Sequence, residues 1–477
     1  MVWSEEASSK ATLAHRCSGA RPTKVPEMAI RNLSRYVSTN VPRYTSYPTA
    51  PHFSSSIGPD RYETWLSELP EKGSTSLYVH VPFCRSICAY CGCMTKATKR
   101  DEPIVAYGNT LLQEIELVAR QLKSRPTVTH LHWGGGTPSL LPRPLFDQVL
   151  AAFDRHFDMD GIEEHAMELD PRHVDAPLAR ALKEQGVNRV SLGVQDLNAR
   201  VQQAIGRVQP LEVVDKAVAA LRDAGHNAVN MDVMYGLPQQ SLEDVVRSVT
   251  ACAALGADRI ALFGYAHVPW MKANQKLIKT EDLPSAGARL EQVRAAHKAL
   301  HHLGYLPVGF DHFAQAHDPM AKAVQAGTLR RNFQGYTTDT APTMIAFGAS
   351  AIGKLPQGYV QNAPDTPGWA RRVLDGELAA VRGFEMTDED RLRGEIIEDL
   401  LTNFCVDLAE RRAGIAPGQS WINQQIIGLD DLVEDGLCTI LGSRVSIPAD
   451  ARFLARIVAA RFDGYLQGER AKHSSAV

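Results

Sequence analysis

Residues 77–93 read LYVHVPFCRSICAYCGC. A short run of strand-forming residues leads directly into a loop that carries four of the chain's eight cysteines, Cys84, Cys88, Cys91 and Cys93. Thiolates are soft ligands suited to iron–sulfur clusters or zinc. Structural zinc normally uses two knuckles separated by a longer loop, and no second pair follows here. Cys84, Cys88 and Cys91, with three and then two residues between them, can wrap three corners of a cuboidal cluster from one loop and leave a fourth iron open. Closure of the fourth corner by Cys93, as in an electron-transfer protein, is the alternative. It requires a strained loop, because Cys93 stands only two positions beyond Cys91. The remaining cysteines, Cys17, Cys252, Cys405 and Cys438, stand singly and read as small buried hydrophobes.

Outward from this loop the chain alternates strand-like and helix-like stretches. Apolar runs at LYVHV (77–81), THLHW (129–133), HAMEL (165–169), RVSLGV (189–194), NAVNMDVMYG (227–236), RIALFGYA (259–266) and LPVGF (306–310) are separated by amphipathic segments. One such segment aligns Ile104, Tyr107, Leu111, Ile115, Val118 and Leu122 at helical spacing. Others stop at Gly186, Gly225, Gly256 and Gly304, as helices that end in a left-handed glycine do. Alternation of this kind predicts an α/β fold of parallel strands with crossover helices, either a partial or complete barrel or an open doubly wound sheet.

Composition narrows the class. Fifty-one basic residues against 54 acidic ones give a net charge of −3, which argues against a nucleic-acid binder. No run of eighteen apolar residues is present to span a membrane, and the first nineteen residues lack the apolar segment of a secretory signal. A cytoplasmic protein is expected, where a dense cysteine loop reads as a metal site rather than a disulfide framework.

After about residue 380 the pattern changes. Thr387 with Asp390 signals a helix start, with Leu392, Ile396, Ile397, Leu400 and Leu401 on one face. CTILGSRVSI (438–447) reads as a hairpin turning at Gly442-Ser443. The expected organisation is an N-terminal extension with a lid segment (1–75), a catalytic barrel (76–355) and a smaller, mainly helical, winged-helix-like C-terminal domain (356–477).

The CxxxCxxC loop behind a first parallel strand, with Tyr90 before its third cysteine, resembles the radical S-adenosylmethionine superfamily. The longer spelling CxxxCxxCxC, with VPRYTSYPTA (41–50) ahead of it and RNFQGYTT (331–338) beyond it, resembles the bacterial oxygen-independent coproporphyrinogen III oxidases over roughly residues 41 to 470. The resemblance implies a partial (β/α)6 barrel with ligands at the carboxyl ends of the strands. It implies a [4Fe–4S] cluster on Cys84, Cys88 and Cys91, with an open iron for S-adenosylmethionine. That cofactor would meet Gly135, Gly136 and Thr137 of LHWGGGTP (131–138), then Glu168, Gln195, Arg207 and Asp232, with Tyr90 and Ala266 flanking its adenine. Tyr78 would face cofactor or substrate, and Tyr78 and Cys93 are the candidates for catalytic roles. A second S-adenosylmethionine would lie against Gly136, Phe333, Gln334 and Ile352.

The implied reaction converts the ring A and ring B propionates of coproporphyrinogen III to vinyl groups, giving protoporphyrinogen IX, through a 5′-deoxyadenosyl radical. An unactivated C–H bond is beyond any side-chain base at neutral pH, so the radical chemistry falls to the cofactor. Four substrate carboxylates call for local cations, and Arg43, His312 and Arg331 are the candidates. Tyr44 and Tyr47, beside Arg43, would close over the mouth. A small redox donor such as flavodoxin or ferredoxin and a monomeric state are expected. A haem chaperone of the same superfamily is the rival reading. The Cys93 position and the PRYTSYPTA segment speak against it and against a haem-degrading methyltransferase. A plain electron-transfer protein would need none of the cofactor-contacting residues.

Overall fold

The structure, a computed structural model, describes residues 30–412 and 418–466. Six strands pair side by side in chain order, all parallel: β1 (Ser74–Val81), β2 (Thr127–Gly135), β3 (Glu164–Leu169), β4 (Arg189–Gln195), β5 (Val229–Tyr235) and β6 (Arg259–Gly264). Helices α1 (Glu102–Ala119), α2 (Arg143–His156), α3 (Ala176–Glu184), α4 (Leu211–Asp223), α5 (Leu242–Ala254) and α6 (Ala286–His302) cross between or follow them. On α1 the expected stripe packs inward, with Ile104, Tyr107, Leu111, Ile115 and Val118 buried and Leu122 half-buried beyond its end. Gly186, Gly225, Gly256 and Gly304 all take left-handed φ of 78° to 87°, so each helix stops where an L side chain would be strained.

The seventh unit differs from expectation. LPVGF supplies β7 (Leu306–Val308), which forms a hairpin with β8 (His312–Ala314) antiparallel to β6. Three residues between those strands leave no room for the crossover a parallel pair needs. The strand that flanks β1 on its other side is β9 (Thr343–Phe347), parallel to β1 and wholly buried. From it β10 (Ile352–Leu355), β11 (Gly358–Asn362) and β12 (Ala380–Glu385) extend the sheet antiparallel. Twelve strands in this order leave the barrel open, the partial radical-SAM barrel of the expectation.

Alternation within the strands creates the functional space. In β4 and β5, Val190, Leu192, Val194, Val229, Met231 and Val233 are fully buried under the helices. Ser191, Gly193, Gln195, Asn230 and Asp232 are half-exposed on the opposite, inner face. Tyr78 of β1, His132 of β2 and Glu168 of β3 are half-exposed in the same way. Period-two geometry thus gives the barrel an apolar outside and a polar lining.

Helix α7 (Asp388–Thr402) begins with the expected capping box of Thr387 and Asp390 and buries all five apolar residues of its face. The hairpin Thr439–Leu441 and Arg444–Ser446 turns at Gly442 (φ 64°) and pairs with Cys405–Asp407, giving the wing of the helical C-terminal part. Cys252 and Cys438 are buried free thiols, as expected. Cys405 is also buried but is disulfide-bonded, a departure from the free thiol expected, and Cys17 lies outside the described residues. No helix among the described residues is long and apolar enough to cross a membrane.

Candidate active site

The cysteine loop leaves β1 at the carboxyl end of the sheet. Each of its first three thiols has a hydrogen-bonding partner: Thr137 Oγ1 lies 3.6 Å from Cys84 Sγ, Arg207 Nη1 3.6 Å from Cys88 Sγ and, within the loop, Thr95 Oγ1 3.7 Å from Cys91 Sγ. Donors aimed at sulfur favour the thiolate, the form that binds metal. Burial pushes the Cys84 thiol up to about 11, whereas a hydrogen bond from Cys93 brings Cys91 down to about 6. The Cys93 thiol therefore sits against Cys91, and it is exposed.

The loop's backbone is held by a residue that carries no motif. Asn274 Nδ2 lies within 2.9–3.2 Å of the carbonyl oxygens of Cys88, Ala89 and Cys91, and Gln275 Nε2 donates to Tyr90 O at 2.8 Å. Lys272 Nζ reaches Cys93 O at 3.1 Å. Sequence reasoning missed Asn274 and Gln275 because a single amide in an irregular loop gives no signal before its partners are known.

Gly134–Gly136 close the inner wall. A Cβ on Gly135 (φ 109°) would stand 2.7 Å from the His80 ring, and one on Gly136 would stand 2.5 Å from Phe83 O. The N–H groups of Gly135, Gly136 and Thr137 already donate to Glu168, Val81 O and Phe83 O. What these residues offer a ligand is close approach and carbonyl oxygens. Burial raises the Glu168 carboxyl, but His132 at 3.5 Å and the Gly135 N–H outweigh it, so Glu168 stays ionised.

Tyr78 stacks on His132 with ring centroids 5.9 Å apart, and its hydroxyl lies 2.9 Å from His80 Nδ1. His80 Nε2 lies 3.0 Å from Met94 O, a pure acceptor, so Nε2 carries the proton. Burial keeps His80 neutral, so Nδ1 accepts and Tyr78 must donate. The Tyr78 hydroxyl thus presents only lone pairs to the barrel.

Arg207 is buried and crowded with partners. Its guanidinium lies 3.3–3.4 Å from Asp170, 2.9 Å from Gly193 O and 3.0 Å from Gln209 Oε1, besides Cys88. Asp170, also bound by Arg172 at 2.6 Å, is raised by burial but lowered further by the two arginines. Asp232 accepts from Asn230 and Ser191, and burial together with the Glu168 charge pushes its carboxyl up to about 6. Gln195 ends β4 in a left-handed conformation (φ 66°), and Ala266 follows Tyr265 beyond β6. Tyr90 packs with Ala89, Val201 and Tyr265. Tyr78, Glu168 and Asp232 thus share one space, bordered by Gly135 and Gly136. Ile352 opens β10 after the turn that leaves β9.

Phe333 and Gln334 line a cavity of about 250 Å³ between the barrel, the N-terminal segment and the C-terminal helices. Arg43 and Arg331, both expected to meet carboxylates, line it, joined by Arg289 and Arg456. His312 is not among its lining residues: its Nδ1 lies 2.6 Å from Asp311 Oδ1, which is, and its ring packs edge-on against Phe263 and Tyr336. Tyr44 and Tyr47 do not lie over the mouth either. Both are buried; Tyr44 donates to Asp463 at 3.0 Å, and Tyr47 accepts from Gly464 N at 2.9 Å. The segment is a fixed wall rather than a free lid.

Residues 78–252 match the family model of the radical SAM superfamily. An oxygen-independent coproporphyrinogen III oxidase of Bradyrhizobium diazoefficiens is 45% identical over 442 residues, covering 93% of this chain and 98% of the relative. This chain belongs to the oxygen-independent coproporphyrinogen III oxidase family. A relative of the same name from Pseudomonas aeruginosa is 36% identical over 440 residues, covering 91% of this chain and 95% of that one. Among solved structures, the Escherichia coli coproporphyrinogen III oxidase, described as a radical SAM enzyme, superimposes with a TM-score of 0.84 at 32% identity over 90% of this chain and all of its own. Family membership accounts for the cysteine spacing and the glycine wall.

Proposed function

We propose that this protein is an anaerobic coproporphyrinogen III dehydrogenase, converting two propionates of its substrate to vinyl groups. The observation that carries the reading is the cysteine loop: three thiols on one loop, each with a protein donor at its sulfur, facing an inner wall of Tyr78, Glu168 and Asp232. The donor set fits a cluster. Cys84, Cys88 and Cys91 would hold a [4Fe–4S] cluster. Gly135, Gly136, Thr137, Glu168, Gln195, Asp232 and Ala266 would meet S-adenosylmethionine, with Tyr78 and Tyr90. A second molecule would reach Gly136, Phe333, Gln334 and Ile352. When bound, cluster and cofactor supply the radical that breaks the propionate C–H bond.

The chain's own residues do the rest. Glu168, ionised, accepts from ammonium or hydroxyl groups and holds the Gly135 turn in place. Tyr78, its proton committed to His80, accepts but does not give up a hydrogen, which keeps a donor of hydrogen atoms turned away from the reacting carbon. Arg207 has protein partners at each nitrogen, so its first role is to fix the Cys88 sulfur and Asp170. Binding a cofactor carboxylate there would replace one of these bonds. Cys93, exposed beside Cys91, lies at the edge of the loop where a substrate would arrive. Arg43 and Arg331 supply charge for the carboxylates. A small one-electron carrier of the flavodoxin or ferredoxin kind would provide electrons in the cytoplasm, and the protein would act as a monomer.

Anaerobic turnover with coproporphyrinogen III, S-adenosylmethionine and a reductant tests this. Two successive losses of carbon dioxide plus two hydrogens are expected by mass. A reducible cluster with no such loss overturns the assignment.

A further inference from the structure

The cavity around Asp311 is electrostatically unfinished. Arg43 comes from the N-terminal segment, Arg289 from α6, Arg331 from the hairpin Arg330–Asn332 and Gly335–Thr337, and Arg456 from the helix Ala455–Ala459. Four guanidiniums face one carboxylate, and that carboxylate is already engaged by His312. Arg331 Nη2 donates to Arg43 O, but its Nε and Nη1, and the Nε of Arg289, are buried without a hydrogen-bond partner. Arg43 places Nη2 on Gly264 O at 2.8 Å. A buried guanidinium without an anion is costly, and several together repel one another. Such a site is built for anions, and the planar fork of arginine matches carboxylates.

The walls are apolar. Phe263, Phe310, Phe333, Phe453 and Val293 line the cavity between the charges. Its volume, about 250 Å³, lies under the roughly 300–1,000 Å³ of pockets that enclose a drug-sized ligand. A tetrapyrrole does not fit inside it. An edge of one does, with propionate arms reaching the arginines and pyrrole carbon against the rings. Tyr265 lines this cavity and also packs with Ala89 and Tyr90 of the cysteine loop, so the two spaces share a wall.

We propose that this arginine cavity anchors the propionates that are not reacting, and thereby sorts tetrapyrroles by how many carboxylates they carry. The proposal rests on the coproporphyrinogen reading. While one of four propionates stands at the cofactor, three remain to be held; in the second round two remain. The unpartnered nitrogens of Arg289 and Arg331, with Arg43 beside them, are placed to meet that demand. Each decarboxylation removes one anion, so the hold weakens from tetracarboxylate substrate to tricarboxylate intermediate to dicarboxylate product. The intermediate is kept for a second round and the product is let go.

Binding to full-length protein tests this without turnover, using air-stable coproporphyrin III, protoporphyrin IX and coproporphyrin III tetramethyl ester as probes, followed by fluorescence quenching. Wild type is expected to bind coproporphyrin at least about tenfold more tightly than protoporphyrin, and the ester more weakly than the free acid. Arg289→Gln and Arg456→Gln should each weaken coproporphyrin at least about tenfold and leave the ester unchanged. Arg289→Lys keeps the charge, should fall between, and serves where a glutamine variant does not fold. Equal binding of acid and ester by wild type, or full affinity in the arginine variants, overturns the proposal. Sorting without vinyl formation would sink the enzyme reading alone, and turnover with unchanged binding in the variants would sink this inference alone.

Discussion

Two arginine-rich regions lie within one molecule and are built to opposite rules. Around Cys88, Arg207 finds partners for each nitrogen in Asp170, Gly193, Gln209 and a sulfur. Around Asp311, Arg289 and Arg331 keep buried nitrogens without partners. A saturated network spends its donors on geometry, and removing one member leaves another buried group stranded. An unsaturated one holds its donors for something that arrives later. Local completeness therefore separates residues that position from residues that bind, although all are arginines with buried nitrogens.

Removal of the cluster ligands should have the largest effect. Cys84→Ala, Cys88→Ala and Cys91→Ala are each expected to lose most of the iron after anaerobic reconstitution and all activity, while Cys93→Ser keeps the iron and loses turnover. Iron loss in Cys93→Ser equal to that in Cys84→Ala would mean that the loop holds four ligands, not three.

The contrast itself predicts a split in stability. Arg207→Ala should lower unfolding free energy by about 2–4 kcal/mol in urea titration, because Asp170 loses a buried counter-charge. Arg289→Gln, which breaks no buried hydrogen bond through Nε, should change it by less than about 1 kcal/mol. Equal losses would erase the distinction between the two regions.

A buried carboxylate outside both regions asks whether hydrogen bonds alone suffice. Glu114 accepts from Gly348 N at 2.6 Å and Asn362 Nδ2 at 2.7 Å, both neutral donors. Burial still pushes its carboxyl from an ordinary 4.5 up to about 7. A raised carboxyl binds its proton more tightly when folded, so stability falls as pH climbs from about 4.5 to 7 and is level above. At about 1.4 kcal/mol per pH unit this amounts to roughly 3 kcal/mol. Urea midpoints at pH 5 and pH 8 should diverge less in Glu114→Gln than in wild type. An equal divergence would show that Glu114 is not the source.

The most local effect should come from Asn274→Ala, which frees three carbonyls at the half-exposed cysteine loop. About 1–3 kcal/mol of local stability is at stake, read as faster iron loss to a chelator with the melting temperature nearly unchanged.

Much of the cofactor end was legible because its residues are close together in sequence. Cys84, Cys88, Cys91 and the glycines at 134–136 form local motifs, and the parallel core follows from strand and helix periods. The misreadings turn on partners that the local pattern does not show. LPVGF has a strand's composition, and only its short link to β8 makes it antiparallel. Tyr44 and Tyr47 look like lid residues until Asp463 and Gly464 are seen beside them, more than four hundred positions away. Arg289 and Arg456 sit in ordinary helices, and His312 resembles a substrate ligand until Asp311 claims it.

The pinning of Tyr44 and Tyr47 to the last described residues bears on the order in which the protein can be made. A chain emerging from the ribosome has its cysteine loop, and much of the parallel sheet, in hand once β6 is out. The wall carrying Arg43 has no seat until Asp463 and Gly464 appear, and Arg456 arrives with them. Contacts of such separation in sequence are the slow ones to close. During synthesis the cysteine loop is complete long before the arginine cavity, so a nascent chain carries the thiols proposed to hold a cluster at a time when it lacks the arginines proposed to hold substrate.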